Sequence, residues 1–213
     1  IDRSRGLGDV YKRQSKYLLG CDGSNSLVRK LLKIPQIDLR YNRNWVVVDI
    51  KLKGENKLGD KVIQVCDKKR LATFVPSHLP FRRWEFLVHD NERKDDFLED
   101  KNIQKLISKW LEPDEYEIIR KAVYQFHSMI AEKFQNGNCF LTGDAAHQSP
   151  PFMGEGMMSG YRDVVNLCWK IALTIKLKLQ NELLNSFEKE RIPHSKFVVC
   201  LLYTSPSPRD RSI

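Results

Sequence analysis

The densest concentration of chemistry-capable residues is the run CFLTGDAAHQSPPFMGEGMM, positions 139–158. Asp144 follows a short apolar stretch and offers a carboxylate that can accept hydrogen bonds from sugar-like hydroxyls. Gly143 supplies the turn beside it. Pro150 and Pro151 fix φ and carry no N–H, so they stiffen the loop. Gly154 and Gly156 let a flat ligand come close to the backbone. The residues after them, beginning with Met157 and Met158, open a helix whose first N–H groups are unpaired and carry a partial positive charge. Such a segment suits a sugar-phosphate cofactor.

A second, weaker site candidate lies upstream. Lys16-Tyr-Leu-Leu-Gly20 reads as a strand that runs into the turn-forming Cys21-Asp22-Gly23-Ser24-Asn25. Ser24 or Asn25 can cap a helix to about Lys33, with Leu27, Val28, Leu31 and Leu32 on its apolar face and Pro35 closing it. With Arg29 on the helix, such a turn can hold a pyrophosphate. By itself the same pattern is also an ordinary strand–turn–helix.

The elements that must position these loops follow from hydrophobic spacing. Strands are expected over Trp45–Lys53, Lys61–Cys66, Leu71–Val75 and Arg83–Val88, giving an antiparallel sheet with one wet face. A helix is expected over Phe97–Leu111, ended by Pro113. Residues 117–131 fit a helix or a strand, and Ala122–Met129 is read as a strand. A helix over about Gly156–Leu179 has Val164, Val165, Leu167, Cys168, Ile171, Ala172 and Ile175 as a wide buried stripe. A last helix, Leu183–Val199, is interrupted by Pro193. Trp169 reads as core.

Several tempting residues have bland readings. Asp144, His147 and Ser149 lie too close on one loop for a Ser-His-Asp arrangement, so His147 reads as a loop histidine. His78, His89, His127 and His194 lack ligand spacing, and no metal is expected. Arg82, Arg83 and Trp84 suit an exposed strand face better than a nucleic-acid patch. Tyr124 and His127 fit either an aromatic pocket or plain sheet packing.

The chain has 213 residues and a formal net charge of +9. Its ends alter how this is read. Ser4–Gln14 and Cys200–Asp210 can be back-translated into DNA strings that are reverse complements of each other, and they resemble a transposon adapter used in library preparation. Residues 1–14 and 200–213 are therefore expected to be assembly scars rather than a natural arm and tail. The first contributes 4 basic and 2 acidic residues and the second 2 and 1, so +6 remains. That charge is spread along the chain, as on a solvated surface; it is weak evidence for a nucleic-acid partner, none is expected, and an anionic substrate or cofactor would fit it. No apolar run is long enough to span a bilayer, and no membrane partner is expected. Cys21, Cys66, Cys139 and Cys168 lie far apart, mostly in apolar runs, as buried reduced thiols in a cytoplasmic protein would.

Taken together, Cys21-Asp22-Gly23-Ser24-x-Ser26-x-x-Arg29, Gly143-Asp144-Ala-Ala-His147 and Pro150-Pro-x-x-Gly-x-Gly156 resemble the flavin-dependent aromatic hydroxylases of the para-hydroxybenzoate hydroxylase superfamily. Val65-Cys-Asp67, Arg82-Arg-Trp-Glu-Phe86, Met157–Asp163, Asn166–Ile171 and Leu184–Arg191 are most similar to its 3-(3-hydroxyphenyl)propionate hydroxylase branch. The resemblance covers nearly all of Ser15–Val199. It implies an α/β (mixed α+β) fold: the C-terminal part of a Rossmann-like FAD-binding domain, 15–40 and 137–199, around an inserted β-rich substrate domain, 41–136.

It also implies roles. Asp22, Gly23 and Arg29 would sit by the flavin pyrophosphate and the nicotinamide path. Asp144 would hold the ribityl or ribose hydroxyls of FAD, with Gly143 beside it in the cofactor-binding turn. Pro151 would lie along the isoalloxazine edge. Gly154 and Gly156 would line the close approach, and the N–H groups of Met157 and Met158 would face the flavin N1/O2 edge. NAD(P)H would reduce FAD, O2 would add to give the C4a-hydroperoxide, and a small aromatic substrate would be hydroxylated. No residue is assigned as the catalytic base. Glu155 stands where relatives usually carry Gln, and Met158 replaces a common Asn. The family's upstream Gly-rich unit for the ADP part of FAD is expected to be missing, so this piece alone would be inactive. A homo-oligomer would be a property of the full-length protein. The alternatives are another FAD-dependent oxidoreductase on the same scaffold, a reductase or halogenase, or a basic binding module without enzymatic activity.

Overall fold

The computed structural model describes residues 14–203. In chain order the elements are strand β1 (Leu18–Gly20), helix α1 (Leu27–Leu31), strands β2 (Gln36–Leu52), β3 (Ile63–Cys66), β4 (Leu71–Pro76) and β5 (Phe81–Val88), helix α2 (Asp100–Ile107), strands β6 (Tyr116–Ala131), β7 (Gln135–Asn136), β8 (Cys139–Leu141) and β9 (His147–Gln148), and helices α3 (Glu155–Leu177) and α4 (Glu182–Tyr203). Short 3-10 turns precede α2, follow β8 and precede α3. Of the two ends read as adapter-derived, all but Gln14 and Cys200–Tyr203 lie outside the described residues, and Cys200–Tyr203 continue α4.

The chain divides into two compact units. The first takes the chain up to Leu39 together with Met129–Leu202, and the second is Arg40–Ser128. The mixed α/β class read from the sequence holds.

In the second unit, β2, β5, β4 and β3 pair antiparallel, with Val48 opposite Trp84 and Phe74 opposite Trp84 across the next ladder. The even positions of β5, Arg82, Trp84, Phe86 and Val88, are buried. Trp84, Phe86 and Val88 join Val46, Val48 and Ile50 in one core, closed by Ile103 and Ile107 of α2. Ile103 and Ile107 lie four apart, on one helix face, so both reach the sheet. Each fully buried side chain of this kind stabilises by about 1.5–3 kcal/mol. Arg82 is buried and Arg83, on the opposite face of β5, is part-exposed, and both are engaged. Arg82 donates to the Ser77 and Phe81 carbonyls, each at 2.8 Å, and Arg83 grips Asp49 at 2.6 and 3.1 Å. Tyr124 and His127 are also strand residues of β6, and Tyr124 stacks with Phe126 at 6.5 Å.

In the first unit, β1 and β8 run parallel and β7 joins β8 antiparallel, in the order β1-β8-β7. Phe140 and Leu141 of β8 pack with Phe134, Leu167, Leu184 and Phe187. Phe187 touches the Phe140 ring edge-on at 6.0 Å.

Four expectations are corrected. First, β2 begins at Gln36, nine residues before the apolar run. Second, the buried stripe of α3 is Ser159, Asp163, Leu167, Lys170 and Thr174, while Val164, Val165 and Ile175 are exposed and Trp169 is 51% exposed. The polar stripe is buried because α4 supplies its partners. Lys170 Nζ donates to Ser186 Oγ at 2.7 Å and pairs with Glu190 at 2.8 Å, and Arg191 pairs with Asp163 at 2.7 Å. Third, α4 runs through Pro193 without a break. Leu184 and Phe187 before the proline and Val199 and Leu202 after it are all buried, which holds the helix on both sides. Fourth, Cys21, Cys66 and Cys168 are free but exposed, and Cys139 is half-buried.

Candidate functional site

The parallel register of β1 and β8 brings the two sequence motifs together. Gly20 lies opposite Leu141, so both strands end side by side. The bond from Thr142 N to Gly20 O, 3.1 Å long, extends the pairing, and Cys21 Sγ meets Thr142 Oγ1 at 3.0 Å. The Asp22-Gly23 loop and the Gly143-Asp144 loop therefore leave neighbouring carboxyl ends of a parallel pair, where ligands bind in open α/β sheets.

The first loop is organised by its own side chains. Asp22 Oδ1 accepts from Ser26 Oγ at 2.5 Å, and Oδ2 accepts from the Val28 N–H at 3.0 Å. Ser26 Oγ in turn accepts from Arg29 N at 3.0 Å, so Ser26, rather than Ser24 or Asn25, caps α1. Burial raises the Asp22 pKa, but the bonds from Ser26 and the Val28 backbone outweigh it and leave the carboxyl below its ordinary value. Gly23 sits at φ +79°. On α1, Val28 and Leu32 pack inward, whereas Leu27 and Leu31 are exposed.

Arg29 is buried and ties the two loops together. Its Nη1 donates to Ala145 O and its Nη2 to Ser24 O, both at 2.8 Å. Burial lowers its pKa, partly offset by the Asp22 charge. The guanidinium fork is thus spent on backbone carbonyls of both motifs, a joining role that spacing alone did not suggest.

The second loop is clamped from below. Gly143 adopts φ +57°, which favours glycine. Its Cα packs on α3 at Gly160, where an added Cβ would lie 3.3 Å from it. Its N–H donates to Asp163 Oδ2 at 2.9 Å. His147 Nε2 meets the same oxygen at 2.7 Å, and Arg191 Nε donates to Oδ1 at 2.7 Å. Asp163 is fully buried, and His147 and Arg191 nearly so. Burial pushes the Asp163 carboxyl up, yet His147, the Gly143 N–H and Arg191 together hold it below its ordinary value. His147 is therefore a buried strand residue rather than a loop histidine, and its acidic partner is Asp163. Neither Asp163 nor Arg191 was read as part of the site. The available signal was an aspartate four residues from both Ser159 and Leu167, on the same helix face.

Above this clamp the remaining candidate groups are open. Asp144 is exposed and its carboxylate has no side-chain bond among the described residues. Pro151 is exposed and Pro150 buried. Gly154 caps α3 at φ +67° and contributes no side-chain cap bond. The first-turn N–H groups of the 23-residue α3 are therefore not answered by a cap. Gly156 leaves space on its Cβ side apart from Ser149 Oγ at 3.6 Å. Met157 and Met158 are exposed. Glu155 is neutralised by Arg162 at 2.7 Å, so its charge is not left alone at the helix start. Among the described residues no group of three or more His, Cys, Asp and Glu is placed to hold a metal, and no helix is long and apolar enough to cross a membrane. An open carboxylate, an uncapped helix N-terminus and glycines at the approach fit the sugar and ring portions of a flavin nucleotide.

Comparison with known proteins agrees with this geometry. Residues 3–201 match the family described as FAD binding domain. A 3-(3-hydroxy-phenyl)propionate/3-hydroxycinnamic acid hydroxylase of Escherichia coli O157:H7 is 37% identical over 208 residues, covering 96% of this chain and 36% of the relative. The corresponding hydroxylase 2 of Burkholderia vietnamiensis is 36% identical over 198 residues, covering 92% of this chain and 36% of the relative. Aklavinone-11 hydroxylase, solved with FAD and aklavinone, superposes with a TM-score of 0.78 at 29% identity, covering 88% of this chain and 36% of that one. The chain thus spans 36% of the length of each of these relatives. With the two motif loops side by side and the match running through both, the chain belongs to the FAD binding domain family.

Proposed function

We propose that this chain is part of a longer flavoprotein monooxygenase that uses NAD(P)H and O2 to hydroxylate a small phenolic or aromatic acid. The observation that carries the reading is the pairing of β1 with β8, which sets the Asp22-Gly23 and Gly143-Asp144 loops next to each other. Bound FAD would supply hydride acceptance from NAD(P)H and the activation of O2. The chain's own part is to bind and orient. Asp144 accepts hydrogen bonds from ribityl or ribose hydroxyls. The Met157 and Met158 N–H groups, at the positive end of α3, favour negative charge on the flavin N1/O2 edge. Asp22, Gly23 and Arg29 form the wall nearest the pyrophosphate. Pro151, Gly154 and Gly156 shape the approach along the ring. The substrate class comes from the relatives, whose names specify hydroxyphenylpropionate and hydroxycinnamic acid. The second unit, Arg40–Ser128, is the proposed substrate domain, and the cytoplasm, where NAD(P)H is available, is the proposed compartment.

Two surfaces support the view that the site is shared with further chain. Among the described residues β1 is an edge strand, and native proteins pair or cover such edges. The outer face of α3 exposes Tyr161, Val165 and Trp169. The test is to express the longer reading frame that contains residues 15–199 and purify it. Flavin absorbance and NAD(P)H oxidation stimulated by 3-(3-hydroxyphenyl)propionate, with a hydroxylated product, are expected. A colourless protein with no stimulated oxidation would overturn the reading.

A further inference from the structure

The second unit holds a cleft of about 610 Å³ between its sheet and α2. That volume lies within the range of small-molecule sites. Its floor is aromatic. Phe86 and Phe97 are buried, and the half-buried Trp110 ring lies 6.0 Å from Phe86. Its rim is basic, and the cations there fall into two groups. Arg70 is held by Glu92 at 2.5 and 2.9 Å and lies over the Phe97 ring at 5.4 Å, while Lys109 pairs with Asp67 at 3.1 Å. Lys69, Arg93 and Lys105 also line the cleft, are exposed, and make no ion pair among the described residues. Asp96 is the one rim carboxylate similarly left without a cation among those residues.

This combination discriminates by chemistry. An aromatic floor rewards a planar apolar body, at roughly 25 cal/mol per Å² buried. Unmatched rim cations reward one anionic end, and Arg93 adds a planar fork suited to a carboxylate or phosphate. A neutral aromatic leaves the rim unused, and an inorganic anion leaves the floor unused. We propose that this cleft is a binding site for a planar aromatic anion, with its ring on Trp110 and Phe86 and its charged end toward Arg93 and Lys105. Every lining residue belongs to Arg40–Ser128 and none to the loops assigned to the flavin.

The chemistry is shared by aromatic carboxylates and by nucleotides, and a titration can separate them. The 15N-labelled 213-residue chain is titrated with 3-phenylpropionate, adenosine 5′-monophosphate, 3-phenylpropanamide and inorganic phosphate. Saturable shifts at the Trp110 indole N–H and the amides of Arg70 and Phe97 are expected with one of the two aromatic anions, and the tighter of them identifies the source. The neutral amide and phosphate should bind at least about tenfold more weakly. Arg93→Glu and Lys105→Glu sit on the exposed rim, so the spectrum elsewhere should persist while affinity falls about tenfold in the double variant. The proposal is overturned by any of three results: no saturable shift with either aromatic anion, phosphate binding as tightly as both, or unchanged affinity after charge reversal.

Discussion

Changing Asp163 to Asn tests whether the clamp beneath the Gly143-Asp144 loop holds the first unit together. The carboxylate is fully buried and accepts from Gly143 N and His147 Nε2 on one oxygen and from Arg191 Nε on the other. Asparagine keeps the shape but has only one acceptor oxygen. If its NH2 takes the first position, it faces the Gly143 N–H. If it takes the second, it faces the Arg191 guanidinium, whose other side-chain bond is a long 3.5 Å contact to Ser159 O. Removing one charge of a buried pair typically costs about 3–5 kcal/mol. Loss of about 3 kcal/mol corresponds to opening on the order of a hundredfold more often.

Hydrogen exchange is the suitable assay, because three of the four tryptophans (Trp45, Trp84, Trp110) lie in the second unit and would dominate fluorescence. Amides of Gly143, Phe140 and Leu141 should exchange on the order of a hundredfold faster, while those of Trp84 and Phe86 stay unchanged. Arg191→Met in the same chain should recover part of the loss, since it removes the stranded cation. A loss below about 1 kcal/mol, or equal loosening of both units, would refute the reasoning.

Ser26→Ala removes the cap of α1 and should cost about 1 kcal/mol, seen as faster exchange at Arg29 N–H with little change at α4. Gly160→Ala places a Cβ 3.3 Å from the Gly143 Cα, and overpacking against backbone should cost about 1–3 kcal/mol in thermal unfolding of the first unit. Bonds from Asn166 and Lys170 lower the Glu190 carboxyl from its ordinary 4.5 to about 2. A carboxyl whose folded value is depressed stabilises fully above its unfolded value and loses that contribution as pH falls through the folded one. The chain should therefore lose stability between about pH 4.5 and about pH 2, by a modest amount because Glu190 is half exposed. Glu190→Gln should flatten this part of the pH profile in urea titrations, and an unchanged profile would count against the Lys170–Glu190 pair.

Much of the fold was legible because local pattern and tertiary environment agreed. Arg83–Val88 alternates, and Trp84, Phe86 and Val88 face one core as alternation requires. Cys139–Leu141 is short and apolar, and it lies between β1 and β7. The Gly-Asp turn and Gly-x-Gly entry were legible because each depends on backbone conformation that only a few residue types allow. What failed depended on distant partners. The start of β2, Gln36–Asn44, alternates Ile37, Leu39 and Tyr41 with polar residues, a weaker signal than the apolar run that follows. On α3, counting apolar residues selected the exposed side, because Asp163 and Lys170 are compensated by Arg191, Ser186 and Glu190 from another helix. His147 looked like a loop residue because its partner lies 16 positions away. Arg29 could be assigned to the site by resemblance, but its grip on Ala145 required the two loops to be adjacent in space.

The most direct test of the central claim is FAD affinity in the longer protein with Asp144→Ala. Asp144 is exposed and makes no side-chain bond among the described residues, so its loss should leave the fold unchanged. Hydrogen bonds to a charged group are worth about 1.5–3 kcal/mol, so the variant should bind FAD roughly 10- to 100-fold more weakly, with unaltered circular dichroism. Stoichiometric FAD retained at wild-type affinity would contradict the assignment of this loop to the flavin site.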